Sequence, residues 1–128
     1  MRKVNMKAGI RLKPPETRSS LTKQVVIDEY TLYVTVGFYE NAQPCELFIT
    51  IAKAGTLLAG VMSAIAIATS LALQYGVPWA AIKRKFEHQR FEPANAHYTS
   101  VIDAVAKTAS MLIEQQGGVV EAGPTGAK

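Results

Sequence analysis

The residues able to do chemistry fall in three short stretches. The first, Lys83-Arg84-Lys85-Phe86-Glu87-His88-Gln89-Arg90, sets four permanent cations and a histidine within eight positions. Guanidinium groups hold a phosphate through paired hydrogen bonds and ammonium groups add point charge, so Arg84, Lys85, His88 and Arg90 form a candidate phosphate cradle. The same residues also suit a solvated helix face, with His88 and Arg90 tying a loop to Glu92 or Asp103, because ion-pair networks resemble sites. The second stretch, Ile51-Ala-Lys-Ala-Gly-Thr56, stands where a strand gives way to a helix. A helix N-terminus offers unpaired N–H groups and a positive dipole end, which makes Lys53 and Thr56 candidate anion contacts. The glycine spacing and G-K-[ST] ending of a Walker motif are absent, and Thr56 equally suits a helix cap. In the third, His97-Tyr98-Thr99-Ser100-Val101-Ile102-Asp103, the types at Thr99, Ser100 and Asp103 cap a helix. His97 and Tyr98 suit either stacking on a ligand or closing a loop.

No metal site is expected. The chain has one cysteine, Cys45, and two histidines, which excludes a cysteine-rich zinc cage and an internal disulfide framework. Cys45 follows Pro44 at the start of a strand with no base beside it, and reads as a small apolar side chain.

These groups need a scaffold. With 128 residues, 48% hydrophobic and 19% charged, the chain suffices for one packed domain and is not disordered as a whole. Val25-Val26-Ile27 is a short apolar run. Thr31 to Tyr39 alternates β-branched and aromatic residues, and Cys45 to Ala52 sets Leu47, Ile49 and Ile51 on one face. Glu40 to Pro44 between them supplies turn chemistry, so the two strands predict an antiparallel hairpin. From Ala54 to Ile82 there is no charge. This segment reaches the minimum length for a membrane span, but its Thr56, Ser63, Thr69 and Ser70 and the lack of an aromatic belt favour a helix buried on most sides, ending near Gly76. Gly60, Ala64, Ala68 and Ala72 recur every four residues, a smooth ridge for close packing, and the other apolar faces call for cover from a second subunit. A short helix from Pro78 to Phe86 and an amphipathic one from Ser100 to Gln116, ended by Gly117-Gly118, complete the expectation. The fold class is α+β: a small antiparallel sheet packed against a long apolar helix and two further helices.

The net charge of +4 is unevenly spread: residues 1–23 carry seven basic groups and Glu16, hence +6, and residues 24–128 carry seven basic and nine acidic groups, hence −2. The expected organisation is a basic flexible arm over 1–21, a domain over 22–116 and a disordered tail over 117–128. No charged segment followed by an apolar one opens the sequence, and a reducing cytoplasm fits the cysteine count.

Several stretches then match one family. The chain resembles the TSCPD domain, the small domain near the C-terminus of adenosylcobalamin-dependent (class II) ribonucleotide reductases, over about residues 11–115. The resemblance rests on TLYVTVGFYE (31–40), ELFITIAKAG (46–55), SLALQYGVP (70–78) and RKFEHQRFEP (84–93), with weaker support from Pro14 to Arg18 and Thr22-Lys23. The name-giving motif stands here as Thr99-Ser100-Val101-Ile102-Asp103, without its cysteine and proline, and Phe91-Glu92-Pro93 replaces an R-C-P of some members. Both thiols are thus missing, which speaks against metal or thiol-exchange chemistry. The cysteine-pair tail and the barrel that binds cobalamin are also absent from these 128 residues.

The resemblance implies a non-catalytic accessory domain of a class II ribonucleoside-diphosphate reductase, in deoxyribonucleotide synthesis. It would act with a separately encoded catalytic subunit that holds the adenosylcobalamin, and would bind no cofactor alone. The alternative is a nucleotide-binding protein that senses or sequesters nucleotides through the 83–92 loop and the Thr56 helix end. A third reading, less favoured, is nucleic-acid binding through residues 2–23, with Tyr33, Phe38 and Tyr39 as stacking groups. A homo-oligomer without membrane attachment is expected in each case.

Overall fold

A computed structural model describes residues 9–52 and 55–121. Three strands, β1 (Ser20–Ile27), β2 (Tyr30–Phe38) and β3 (Pro44–Ala52), form an antiparallel sheet in that order. The expected hairpin is β2–β3. The apolar run at Val25 belongs to a further strand, whose other residues alternate too weakly to announce it. Leu32 lies opposite Ile51 and Val34 opposite Ile49, with Val25 opposite Leu32 on the other side, so one face of the sheet is branched and apolar. The opposite face carries Thr22, Thr31, Thr35 and Thr50, and the hydroxyls of Thr22 and Thr35 meet at 2.7 Å.

The helices are α1 (Thr56–Gln74), α2 (Trp79–Phe86) and α3 (Val101–Gln116). Helix α3 covers the apolar face, burying Val101, Ala104, Val105, Ala109, Leu112 and Ile113 against β1 and β2. Ser100 caps it by accepting the Asp103 N–H at 3.1 Å, and Gly117, at φ 96°, closes it in the left-handed conformation a glycine adopts freely. Helix α2 begins after Pro78 and packs on α3, the Trp79 indole N–H donating to Ser110 Oγ at 2.9 Å.

Helix α1 packs along β3, which has no strand beyond it among the described residues. Ser70 Oγ accepts the Leu47 N–H at 2.8 Å and donates to the Leu47 carbonyl at 3.1 Å, and Gln74 Nε2 donates to the Cys45 carbonyl at 2.9 Å. Two side chains thus satisfy the outward groups of Leu47 and the Cys45 carbonyl, where a strand would otherwise pair. Only Met62, Ala66, Thr69, Leu73 and Gln74 of α1 are buried. The expectation of a helix covered on most sides is corrected: within one chain α1 is covered along one stripe, because the sheet offers it an edge and not a face. Thr56 is also not the cap. Gly55 holds that position, and no side chain caps the first turn.

The segment before β1, read as flexible, is strapped down from Arg11 onward. Arg11 Nε donates to Gln74 Oε1 at 2.7 Å, the Leu12 N–H donates to the Gln74 carbonyl at 2.8 Å, and the Tyr39 hydroxyl donates to the Leu12 carbonyl. Arg18 binds Glu46 with both Nε and Nη2, the latter at 3.1 Å. The boundary expected at residue 22 therefore falls inside β1. At the other end Val120 is buried in the core and Glu121 pairs with Lys83 at 2.8 Å, so the expected tail over 117–128 begins with packed residues; 122–128 lie outside the described residues.

Glu46 also explains Gly37, its partner across β2 and β3. The Glu46 side chain lies flat over this glycine to reach Arg18, and a Cβ at position 37 would come within 2.5 Å of Glu46 Oε2 and 2.7 Å of its Cγ. Gly37→Ala must push the carboxylate away from Arg18. We expect a loss of about 1–3 kcal/mol in urea unfolding, as in other overpacked sites, and a smaller further loss when Arg18→Ala is added to Gly37→Ala than when it is made alone. Additive losses would show that the two positions are uncoupled.

Candidate functional site

The sequence candidates divide into a scaffold and a groove. The scaffold is centred on Asp103, which is fully buried in the first turn of α3. Its Oδ1 accepts the His88 backbone N–H at 2.7 Å, and its Oδ2 accepts the Thr99 N–H at 3.0 Å and the Lys107 ammonium at 2.9 Å. Around it, Thr99 Oγ1 donates to the Gln89 carbonyl at 2.8 Å, the Phe91 N–H reaches the Thr99 carbonyl at 3.1 Å, and Asn95 Oδ1 accepts the N–H groups of His97 and Tyr98. The segment from His88 to Ser100, which has no helix or strand of its own, is held to the start of α3 by these bonds. Burial pushes the Asp103 carboxyl up, but the His88 N–H, Lys107 and the Thr99 N–H outweigh it and hold the group below its ordinary 3.8.

Thr99, Ser100 and Asp103 thus do the capping work expected of them. Val101, where the family motif has its cysteine, is buried against the core. His88 serves through its backbone, at φ 69°, while its side chain is 71% exposed with Nδ1 4.0 Å from Asp103 Oδ1. His97 packs edge-on to Tyr98 at 6.2 Å, and the Lys107 ammonium lies 6.0 Å over the Tyr98 ring.

The groove lies between α1, the end of α2 and this loop. Ile65, Ala68 and Thr69 of α1, Phe86 and Ile102 form its apolar wall, and Lys85, Gln89 and Phe91 complete it, in a cleft of about 800 Å³ that includes open solvent. Arg84 and Arg90 are exposed, and neither side chain makes a hydrogen bond or ion pair among the described residues. Lys83 is engaged by Glu87 at 3.1 Å and Glu121 at 2.8 Å, which raise its pKa. Of the predicted cradle, then, Lys85 is in the groove, Arg84 and Arg90 are exposed and near it in sequence, Arg84 also helping to lower the Glu121 pKa, and His88 is committed elsewhere through its main chain. Lys83, Arg84 and Lys85 also occupy the last turn of α2, where cations offset the negative end of the helix dipole.

Thr56 stands nine residues before Ile65 on α1, roughly 14 Å along the helix, so the two anion candidates do not form one site; Lys53 lies outside the described residues. Phe86, Gln89 and Phe91 were not singled out from the sequence. The alternation of aromatic and basic residues in RKFEHQRF carried the signal. Phe38 and Tyr39, proposed for stacking, are buried and unavailable, whereas Tyr33 is exposed. Burial and the neighbouring Glu46 push the Cys45 thiol up to about 12, so it is inert at neutral pH. Among the described residues no three His, Cys, Asp or Glu side chains converge on a metal position.

The TSCPD domain family matches residues 5–109, and the chain belongs to that family. The vitamin B12-dependent ribonucleotide reductase of Rhodopirellula baltica is 47% identical over 79 residues, covering 62% of this chain and 8% of that protein. The reductase of the same name from Bradyrhizobium diazoefficiens is 31% identical over 123 residues, covering 90% of the chain and 10% of the protein, and that of Streptantibioticus cattleyicolor is 38% identical over 85 residues, covering 66% and 14%. The chain therefore spans about a tenth of the length of these relatives. No solved structure matches it.

Asp103 yields a pH prediction. A carboxylate with a folded pKa below its unfolded one binds fewer protons in the folded state, so its contribution is complete above the ordinary value and is lost as pH falls through the folded one. Asp103→Asn is expected to cost about 2–4 kcal/mol at neutral pH, since it leaves Lys107 and a loop N–H without their anion. Urea titrations should show the gap between wild type and variant holding at neutral pH and narrowing as pH falls below the ordinary 3.8. An equal gap in both ranges would contradict the role given to this carboxylate.

Proposed function

We propose that this chain is a non-catalytic accessory domain of a vitamin B12-dependent ribonucleotide reductase, working with a separately encoded catalytic subunit in deoxyribonucleotide synthesis in the cytoplasm. The observation that carries the reading is the match itself: the aligned relatives are reductases, and the aligned part is one small domain of each. The polar groups of that domain support it, because Asp103, Ser100, Gln74 and Glu46 are consumed in holding loops and edges. The single thiol cannot serve as a reductant at neutral pH, with its pKa near 12. Adenosylcobalamin does not fit here: the grooves are open clefts of some 800–850 Å³ that include solvent, too small to enclose a corrin with its nucleotide loop. The cofactor belongs to the catalytic partner. Contact with that partner is assigned to the uncovered sheet face, where Val26 and Tyr33 are exposed, and to the basic N-terminal segment.

One observation favours the nucleotide reading as a second function, namely a groove lined by Phe86, Phe91, Gln89 and Lys85, with the exposed Arg84 and Arg90 next to these residues in sequence. A base between Phe86 and Phe91 with its phosphates towards Lys85, Arg84 and Arg90 matches stacking and charge to one ligand.

Two measurements separate these readings. Tagged chain mixed with the catalytic subunit from the same source is expected to co-elute with it and to change its turnover, and Tyr33→Ala should weaken the complex. Loss of co-elution at all ratios would end the accessory reading. Thermal unfolding against ribonucleotides and deoxyribonucleotides tests the other: a ligand at about one hundred times its Kd should raise stability by roughly 2.7 kcal/mol, and Phe91→Ala or Arg84→Ala should abolish the shift. No shift with any nucleotide would leave the groove without that role.

A further inference from the structure

The exposed side of α1 repeats itself in reverse. Leu57, Gly60, Val61, Ala64, Ile67, Ala68 and Leu71 are all exposed, with Leu57 at 80% and Ile67 at 60%, and they fall within an arc of about 120° on the helix. About Ala64 this face is a palindrome of side-chain shape. Three residues to either side stand the β-branched Val61 and Ile67, four to either side the small Gly60 and Ala68, and seven to either side Leu57 and Leu71. An isologous pair of helices about a two-fold axis requires that residues at mirrored positions suit one another, since each contact i to j recurs as j to i. On this face the mirrored positions are alike in size, so small side chains oppose small ones at the crossing and leucines oppose leucines at its ends.

We propose that this face is the interface of a homodimer in which two copies of α1 cross antiparallel at Ala64. Leu57 then meets Leu71 of the second copy, Gly60 meets Ala68, and Val61 meets Ile67, each contact occurring twice. Small side chains at 60, 64 and 68 let the helix axes approach to about 8 Å, with the larger residues closing in from both sides. Electrostatics admit a second copy as the occupant. No charged residue lies between Ala54 and Ile82, so like faces meet without repulsion and without burying an ion. The area is also sufficient. With Tyr75 and Phe48, exposed at its borders, the face presents on the order of 700 Å², close to the roughly 800 Å² per partner of a stable interface. It leaves the sheet face with Val26 and Tyr33 open, so the dimer does not depend on the accessory reading.

Sedimentation equilibrium of the full chain is expected to give twice the 13.9 kDa of one chain, and Ala64→Glu, which opposes two carboxylates at the crossing, should return it to one. Ala64 is exposed, so far-ultraviolet circular dichroism of that variant should match wild type and separate dissociation from misfolding. The register is read by Ala64→Cys, which brings a thiol onto its own mate and should give a disulfide-linked dimer under mild oxidation, while Cys45 stays silent because it is buried. Ser63→Cys, at the margin of the face, should link at least ten times more slowly. A monomeric wild type, a dimer that survives Ala64→Glu, or equal linking at 63 and 64 would each overturn the proposal. So would a wild-type chain that floats with phosphatidylcholine vesicles instead of dimerising, α1 being long and apolar enough to cross a membrane, or one whose α1 is shielded from modification only by the reductase subunit.

Discussion

The free edge of β3 is the constraint from which the layout of this domain follows. A three-stranded meander leaves two edges, and an unpaired edge is a template for further pairing. Here side chains of a helix close one of them. Ser70 satisfies both outward groups of Leu47, and Gln74 does so for the carbonyl of Cys45. A helix that must lie beside a strand cannot also lie across the sheet, so α1 buries a stripe and α3 takes the apolar face. Gln74 then spends its remaining acceptors on Arg11 and the Leu12 N–H, which draws the N-terminal segment over the same corner. One glutamine thus joins three parts of the chain distant in sequence.

A second polar centre does for the loop what Gln74 does for the edge. Thirteen residues separate Glu87 from Val101 without a helix or strand between them, and a loop of that length is ordered only when its backbone finds partners. Asp103 provides two of them from inside α3, and its burial is offset by Lys107 and two N–H groups. The groove wall at Gln89 and Phe91 exists because this carboxylate anchors the chain on both sides of it. Any ligand affinity of the groove therefore depends on a residue that need not touch the ligand.

Much of this was legible in the sequence, and what was not has definite physical causes. The β2–β3 hairpin, all three helices and the capping triad at Thr99, Ser100 and Asp103 are written in local pattern, alternation, apolar periodicity and cap chemistry, which act over a few residues. The strand β1 shows little side-chain signature because its first half, Ser20 to Gln24, has Leu21 as its one apolar residue and pairs through its backbone. The exposure of α1 was misjudged for a related reason: composition reports how apolar a helix is, not how much surface its neighbours supply. The strap from Arg11 to Arg18 could not be read at all, since Gln74 and Glu46 lie 63 and 28 residues further along the chain. At the groove, the cations stand out in the sequence and the phenylalanines beside them do not, although both belong to one short word.

The distribution of polar and apolar groups bears on what such a domain is for. A catalytic unit keeps reactive side chains in reserve, aimed into a cavity and tuned away from their ordinary pKa values. Among the described residues the tuned groups are Asp103, Lys83, Glu121, Arg18, Tyr39 and Cys45. The first four are tied into ion pairs, and burial holds Tyr39 and Cys45 in their neutral forms. What is held in reserve is surface: a charge-free helix face, an open sheet face and a basic rim. The α1 face is the apolar share of that surface, and the like-with-like pairing of its residues about Ala64 is compatible with the second copy proposed above.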